Sequence, residues 1–251
     1  MDFTLKKYIE LQTVMVHAGY QFQSFSDILE APANRFLVLR HDVDLMPDNS
    51  LQFARLQAEQ GIRGVYYFRA VRQSWDPRII REINGLGHEI GYHYECMTTC
   101  NGDVEASCRD FQENLFRLRD LVDVKTICMH GSPMSKFDSK EMWKYYDYRS
   151  FGIIGEPYFD VQFDKVLYLT DTGRRWDGAK VNVRDKTNGG LTHAIQNTDQ
   201  LIGAFRTGEL PDKLMITFHP QRWNNNIFLW TKELAMQSIK NVVKQWFFVN
   251  R

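Results

Sequence analysis

Hydrophobic positions along this chain fall into two alternating patterns: stripes recurring at helical spacing, and short unbroken apolar runs of the kind that form buried strands. Leu5, Tyr8, Ile9, Gln12 and Met15 predict a helix over Leu5 to Ala18, stopped by Gly19. Strand one is predicted over Phe36 to Arg40. Pro47-Asp48 then opens a helix to about Gln60 that Gly61 closes, and Gly64 to Ala70 predicts a second strand. Asp76-Pro77 supplies a cap and a first-turn proline for a helix to Leu86, after which His88 to Tyr92 reads as a strand delivering His93. The polar stretch Glu95 to Asp103 predicts a rim loop. A helix over Val104 to Leu121 carries Phe111, Leu115 and Leu118 on one stripe with Val122 just beyond, and a strand over Thr126 to Met129 delivers His130. Later elements are a helix near Ser139 to Tyr146, a strand at Val166 to Leu169, a helix around Asp199 to Phe205 and a strand at Leu214 to Phe218. A closing helix, about Ile227 to Phe247, presents Leu234, Ile239, Val242, Val243 and Trp246.

Alternating strands and helices, without repeats or Pro/Gly-rich linkers, predict βα units around a parallel sheet. Several of the predicted strands end in an ionisable residue: Asp42 and Asp44, His93, His130, Asp171 and His219. That is the layout of a site assembled at the C-terminal rim of a parallel α/β barrel. Asp42 and Asp44 are two apart, so both can lean toward one rim, and acids directly after an apolar strand are costly to bury without a charge partner. Metal binding is the chemistry such a set suggests.

Composition narrows the partners. With 31 basic and 31 acidic residues there is no global field to favour a polyanion, and nucleic acid is not expected. The first residues, Lys6-Lys7-Tyr8-Ile9-Glu10, are too polar for a secretory core, and no apolar run approaches the ~20 residues of a spanning helix. A cytoplasmic location with reduced thiols is the expectation. His93 with Cys96, Cys100 and Cys108 lacks the spacing of a closed zinc knuckle.

The strand-end residues resemble, in order, those of the polysaccharide deacetylases of carbohydrate esterase family 4. Gly87-His88-Glu89-Ile90-Gly91-Tyr92-His93 is similar to the family's Gly-His-Glu-Ile-Gly-Asn-His, Asp42-Val43-Asp44 to a spaced variant of its Thr-Phe-Asp-Asp-Gly, and Leu214 to His219 to its late histidine-bearing strand. The resemblance spans roughly residues 36 to 220. It implies an α/β fold, a distorted parallel (β/α) barrel of about seven strands in one domain over 1–251, with an N-terminal helical segment 1–30 and a C-terminal helix 227–248 packed on it. It further implies Asp42 as general base, Asp44 and His93 as metal ligands, and His219 as general acid. The cofactor would be a divalent metal, zinc foremost, with cobalt, nickel or iron as alternatives.

The departures from the family pattern are equally specific. Met97 stands where the family has its second ligand histidine, and a thioether is a poor ligand for such an ion. Glu95 and His130 are the candidates for the third ligand. His130-Gly131-Ser132-Pro133 replaces a family motif whose arginine orients the base. Asp171 and Trp176 fall where the family shapes its site wall; Asp171 could orient a base or ligand, and Arg174 or Arg175 could replace the arginine or bind an anionic substrate group. Gln221, Arg222 and Trp223, just beyond His219, are expected to line the pocket, with Trp176 and Trp223 offering faces to a sugar ring.

The function so implied is metal-dependent removal of an N-acetyl or other acyl group from an amino sugar. For a cytoplasmic enzyme the substrate would be a small-molecule or lipid-linked carbohydrate precursor of surface polysaccharide, such as lipopolysaccharide O-antigen. Two alternatives stay open: hydrolysis of another non-peptide C–N bond (imide, formyl or amidino), and a degenerate barrel that binds carbohydrate without turnover. The oligomeric state is not legible.

Overall fold

The computed structural model describes residues 1–132, 135–176 and 195–244, the last six of these as backbone only. Pro133, Trp246 and Phe247, named above, lie outside the described residues, as do the side chains of Ile239, Val242 and Val243. Seven parallel strands form one sheet: β1 (Gln21–Phe22), β2 (Phe36–Val43), β3 (Val65–Phe68), β4 (Glu89–Tyr94), β5 (Ile127–Met129), β6 (Leu167–Thr170) and β7 (Lys213–Phe218). Their order is β5-β4-β3-β2-β7-β6, with β1 beside the first residues of β2. The sheet is curled into a half-barrel: His130 just after β5 and His219 just after β7 both approach Asp44 at the end of β2 within 4 Å. The chain therefore has the expected architecture of a distorted parallel (β/α) barrel.

The helices are α1 (Leu5–His17), α2 (Phe25–Glu30), α3 (Pro47–Ala58), α4 (Pro77–Gly85), α5 (Cys96–Thr99), α6 (Val104–Arg119), α7 (Pro157–Asp160), α8 (Thr198–Thr207) and α9 (Ile227–Lys244). Punctuation read from the sequence works as expected at several ends. The Asp76 carboxylate accepts from the backbone N–H groups of Arg78 and Ile79, and Gly19 and Gly61 take positive φ after α1 and α3. None of the helices is long and apolar enough to cross a membrane among the described residues.

Three expectations shift. The Glu95–Asp103 loop contains α5, because Thr99 and Cys100 bond back to Glu95 and Cys96. The segment near Ser139 is a 3-10 helix, Ser139–Lys144, capped by Asp138. Strand β2 runs three residues past Arg40, taking Asp42 inside the sheet, and the dipeptide β1 was too short to leave an apolar run.

Two buried clusters divide the strand faces. Phe36 and Val38 of β2 join Val65, Tyr67, Cys128 and Met215 inside the curl, whereas Leu37, Leu39 and Val43 face the helices. That alternation is the period of two of extended chain. Gly91 in β4 is required there: a Cβ would sit 2.3 Å from the ring of Tyr67.

Candidate active site

Arg40 and Asp42 continue the inward-facing register of Phe36 and Val38. Arg40 forks onto the carboxylate, Nε donating to Oδ1 at 2.8 Å and Nη2 to Oδ2 at 2.7 Å, with both side chains nearly inaccessible. This is the charge partner the sequence left unassigned. Its signal was the two-residue spacing itself, since an i, i+2 pair on a strand shares a face.

Asp44 follows directly as the chain leaves the sheet. Its Oδ1 lies 3.7 Å from His93 Nε2 and 3.4 Å from His130 Nε2, and its Oδ2 lies 3.9 Å from His219 Nε2. Gln221 Nε2 donates to Oδ2 at 3.2 Å. Oδ1 is buried with no hydrogen-bond donor among the described residues. Burial pushes the carboxyl up, yet the positive charge that His130, His219 and His93 carry when protonated holds it below the usual carboxylate range.

Both neighbouring histidines are oriented by their far nitrogens. His93 Nδ1 is 2.8 Å from the carbonyl oxygen of Cys128, which can only accept, so the proton sits on Nδ1 and Nε2 presents its lone pair to Asp44. Burial and the facing His130 hold His93 well below its ordinary value, which keeps the ring neutral. His130 Nδ1 lies 2.9 Å from Glu95 Oε2, giving the same tautomer. Glu95 is itself gripped by Arg69, whose Nε and Nη2 reach Oε1 at 2.9 and 2.6 Å, and by Ser132 Oγ at 3.2 Å. Against the upward push of burial, His130 and Arg69 bring its pKa down to about 2.

These observations test whether a divalent cation fits. One carboxylate oxygen and two imidazole nitrogens, from Asp44, His93 and His130, lie within 4.8 Å of one another. The oxygen is orphaned, the nitrogens are turned inward by partners that accept their other proton, and the mixed N/O donor set suits zinc or a neighbouring transition ion. Glu95 contacts His130 rather than joining this triad. A second group, Asp42, His93 and Cys128, is also close enough, but both Asp42 oxygens are occupied by Arg40. Met97, within α5, is buried in the core. No group containing Cys96, Cys100 or Cys108 has the geometry to hold an ion among the described residues.

Opposite the histidine pair, His219 Nδ1 is 2.6 Å from Asp171 Oδ1, and the His219 backbone N–H donates to Oδ2 at 2.9 Å. Arg222 Nη1 donates to Asp171 Oδ1 at 2.9 Å and Trp223 Nε1 to Oδ2 at 2.9 Å. Asp171 is fully buried; burial pushes it up, but Arg222 and His219 outweigh that and bring it to about 2. For His219, burial and Arg222 act downward while Asp171 acts upward and prevails, so the imidazole holds its proton more tightly than usual.

Several pocket assignments are corrected. Arg174 is claimed by an ion pair: Nη1 pairs with Glu233 Oε2 at 2.5 Å and the guanidinium lies 4.5 Å from the Phe3 ring, tying α9 to the N-terminus. Arg175 is half-buried at the end of the same turn. Trp176 and Trp223 are 1% and 0% exposed and pack on Phe3 and Phe218, so neither offers a face to a sugar. Arg222 and Trp223 instead hold Asp171. His88 is structural, Nδ1 accepting from Gly64 N–H and Nε2 facing the Ala54 carbonyl. Sequence reasoning missed Arg40 and Arg69; the latter contacts Glu95 across 26 residues and left no local signal.

An open cleft of about 530 Å³ borders His130, lined also by Thr98, Ser132, Lys136 and Phe137. No family model matches the sequence, and no curated protein matches it. In structure the chain is similar to a CE4 family pseudoenzyme from Bacillus anthracis, at 10% identity and TM-score 0.46, covering 86% of this chain and 63% of that one. The chain thus spans somewhat under two thirds of that protein. It is also similar to the CE4 domain of a multidomain xylanase from the hindgut metagenome of Trinervitermes trinervoides (11% identity, TM-score 0.43, 86% of each chain). A third similar structure is a variant of the peptidoglycan deacetylase PdaC from Bacillus subtilis (12% identity, TM-score 0.39, 86% of this chain and 98% of that one).

Proposed function

We propose that the chain is a metal-dependent hydrolase that removes an N-acyl group from an amino sugar. The observation that carries this reading is the inward-turned triad of Asp44, His93 and His130 set between a buried carboxylate, Asp42, and a buried, carboxylate-backed imidazole, His219. Asp44, His93 and His130 would hold the ion, which supplies Lewis-acid polarisation of the acyl carbonyl and a lowered pKa for bound water.

The remaining chemistry belongs to side chains. Asp42, its charge balanced by Arg40 and its Oδ2 within 3.6 Å of His93 Nε2, is placed to accept the proton of an attacking water. His219 gives a proton from Nε2 to the leaving amine, and Asp171 orients the ring while stabilising its cationic form. Base and acid then flank one carbonyl, which is the demand of amide hydrolysis.

The non-catalytic reading rested on Met97 and on the missing arginine. His130 beside Asp44 and Arg40 on Asp42 supply the same chemical functions from other positions, which favours turnover. A cytoplasmic polysaccharide precursor remains the proposed substrate context. The test is metal analysis of the purified chain with acyl release from N-acyl hexosamines. Stoichiometric binding of zinc, cobalt, nickel or iron with metal-dependent release supports the reading; background release from the fully loaded protein overturns it.

A further inference from the structure

Beside Asp44 lies a second space, a cavity of about 230 Å³ whose walls include Met46, Gln221, Leu229, Lys232 and Met236. Leu229, Lys232 and Met236 are spaced i, i+3 and i+7 on α9, so one stripe of that helix roofs it. The Arg174–Glu233 ion pair and the bond from Trp230 Nε1 to the Asp2 carbonyl, 2.8 Å, hold the roof in place.

The floor of this space is continuous with the metal-site carboxylate. Asp44 forms part of the wall, and Gln221 beside it donates through Nε2 to Asp44 Oδ2. A carboxylate only accepts, so the amide nitrogen must face Asp44 and the amide oxygen must turn away. That oxygen, Oε1, is buried without a donor among the described residues, on a side chain that is 7% exposed. Buried carbonyl oxygens ordinarily find donors, so this end of the Gln221 amide is a polar group left unsatisfied beside the cavity wall.

Resting on the hydrolase reading above, the geometry points to this cavity as the subsite for the substrate's acyl chain, sized for chains longer than acetyl. Met46, Leu229 and Met236 line the space for the hydrocarbon, and Gln221 and Asp44 form its polar wall beside the triad. An apolar cavity of roughly 150 Å³ accepts a benzene ring, so this one exceeds the needs of a methyl group several-fold. Apolar contact then favours each added methylene.

The experiment compares N-acetyl-, N-butyryl- and N-hexanoylglucosamine with the metal-loaded full chain and with Met236→Trp and Leu229→Trp, whose indoles fill the cavity; circular dichroism checks that both fold. Binding of hexanoate, followed by calorimetry, needs no turnover. We expect kcat/KM to rise at least tenfold from acetyl to hexanoyl in the parent, the tryptophan variants to lower that ratio at least tenfold, and hexanoate affinity to fall with it. Hexanoate binding that weakens in the variants while no N-acyl sugar is cleaved keeps the cavity assignment and removes the hydrolase reading. Cleavage without chain-length dependence, with hexanoate binding absent or unchanged in the variants, removes the cavity assignment alone. Absence of both cleavage and hexanoate binding removes both.

Discussion

Arg40 and Asp42, two residues apart on β2, form a bidentate ion pair at 2.8 and 2.7 Å that is shut away from solvent on both sides. Removing either member strands a buried charge, which typically costs about 3–5 kcal/mol. Arg40→Met is therefore expected to lower unfolding stability by about that amount, measured by denaturant titration at pH 7. A loss under about 1 kcal/mol would mean Asp42 finds water or another cation when Arg40 is gone.

Asp42→Asn and Asp44→Asn separate base from ligand. Asp42→Asn is expected to retain metal, by elemental analysis of dialysed protein, while losing turnover by about 10²-fold or more. Asp44→Asn loses both. An active Asp42→Asn protein would move the base elsewhere. The distinction rests on geometry: Asp42 is occupied by Arg40, whereas Asp44 Oδ1 has no donor among the described residues.

How much of this was legible depended on sequence separation. The apolar runs of β2, β4 and β7 and the Asp76-Pro77 cap are local patterns, and local physics placed them within a few residues. Asp42, Asp44, His93, His130 and His219 converge because parallel strands share one rim, a rule that needs no knowledge of particular contacts. What failed were side chains whose partners are remote. Trp176 and Trp223 look like sugar platforms in sequence but fill the space between α1, β7 and the N-terminal Phe3. Arg174 looks like an anion binder until Glu233, 59 residues on, claims it. Glu95 and His130 compete as ligands on paper; the 2.9 Å bond between them is a relation across 35 residues that no spacing rule supplies.

That bond makes a prediction of its own. A carboxylate that fixes the tautomer of a metal-binding imidazole usually contributes about 10- to 100-fold in affinity. Glu95→Gln is expected to weaken zinc binding by that range in a chelator competition, while His130→Ala abolishes stoichiometric binding. If Glu95→Gln abolished binding and His130→Ala left it full, their roles would be reversed.

Asp171→Asn tests the other side of the site. Asparagine keeps the shape but offers His219 Nδ1 no charge, so the imidazole loses the partner that raises its affinity for the proton. Turnover should fall by about 10²–10⁴-fold with metal content unchanged, and the alkaline limb of the kcat profile, which reports loss of the His219 proton, should move to lower pH. An unchanged limb would exclude His219 as the acid.

Stability against pH carries a masked pair of opposing effects. Buried His41, bonded through Nδ1 to the Val65 carbonyl at 3.1 Å, has its pKa lowered by burial from 6.5 to about 3. Below pH 6.5 the unfolded chain takes a proton the folded one refuses, so this group's contribution falls as pH drops toward 3. Buried Glu156, accepting from Met129 N–H at 3.0 Å, is pushed up by burial from 4.5 to about 7. Between 4.5 and 7 the folded chain holds a proton that the unfolded one releases, so its contribution is full below 4.5 and falls as pH rises. The two slopes, each about 1.4 kcal/mol per pH unit, cancel between pH 4.5 and 6.5. Relative to the parent, Glu156→Gln is therefore expected to gain stability with rising pH at about that slope across the window, and His41→Asn to lose it. Denaturant titrations at half-unit intervals measure both differences, and parallel curves for parent and variants would show that neither group carries the assigned shift.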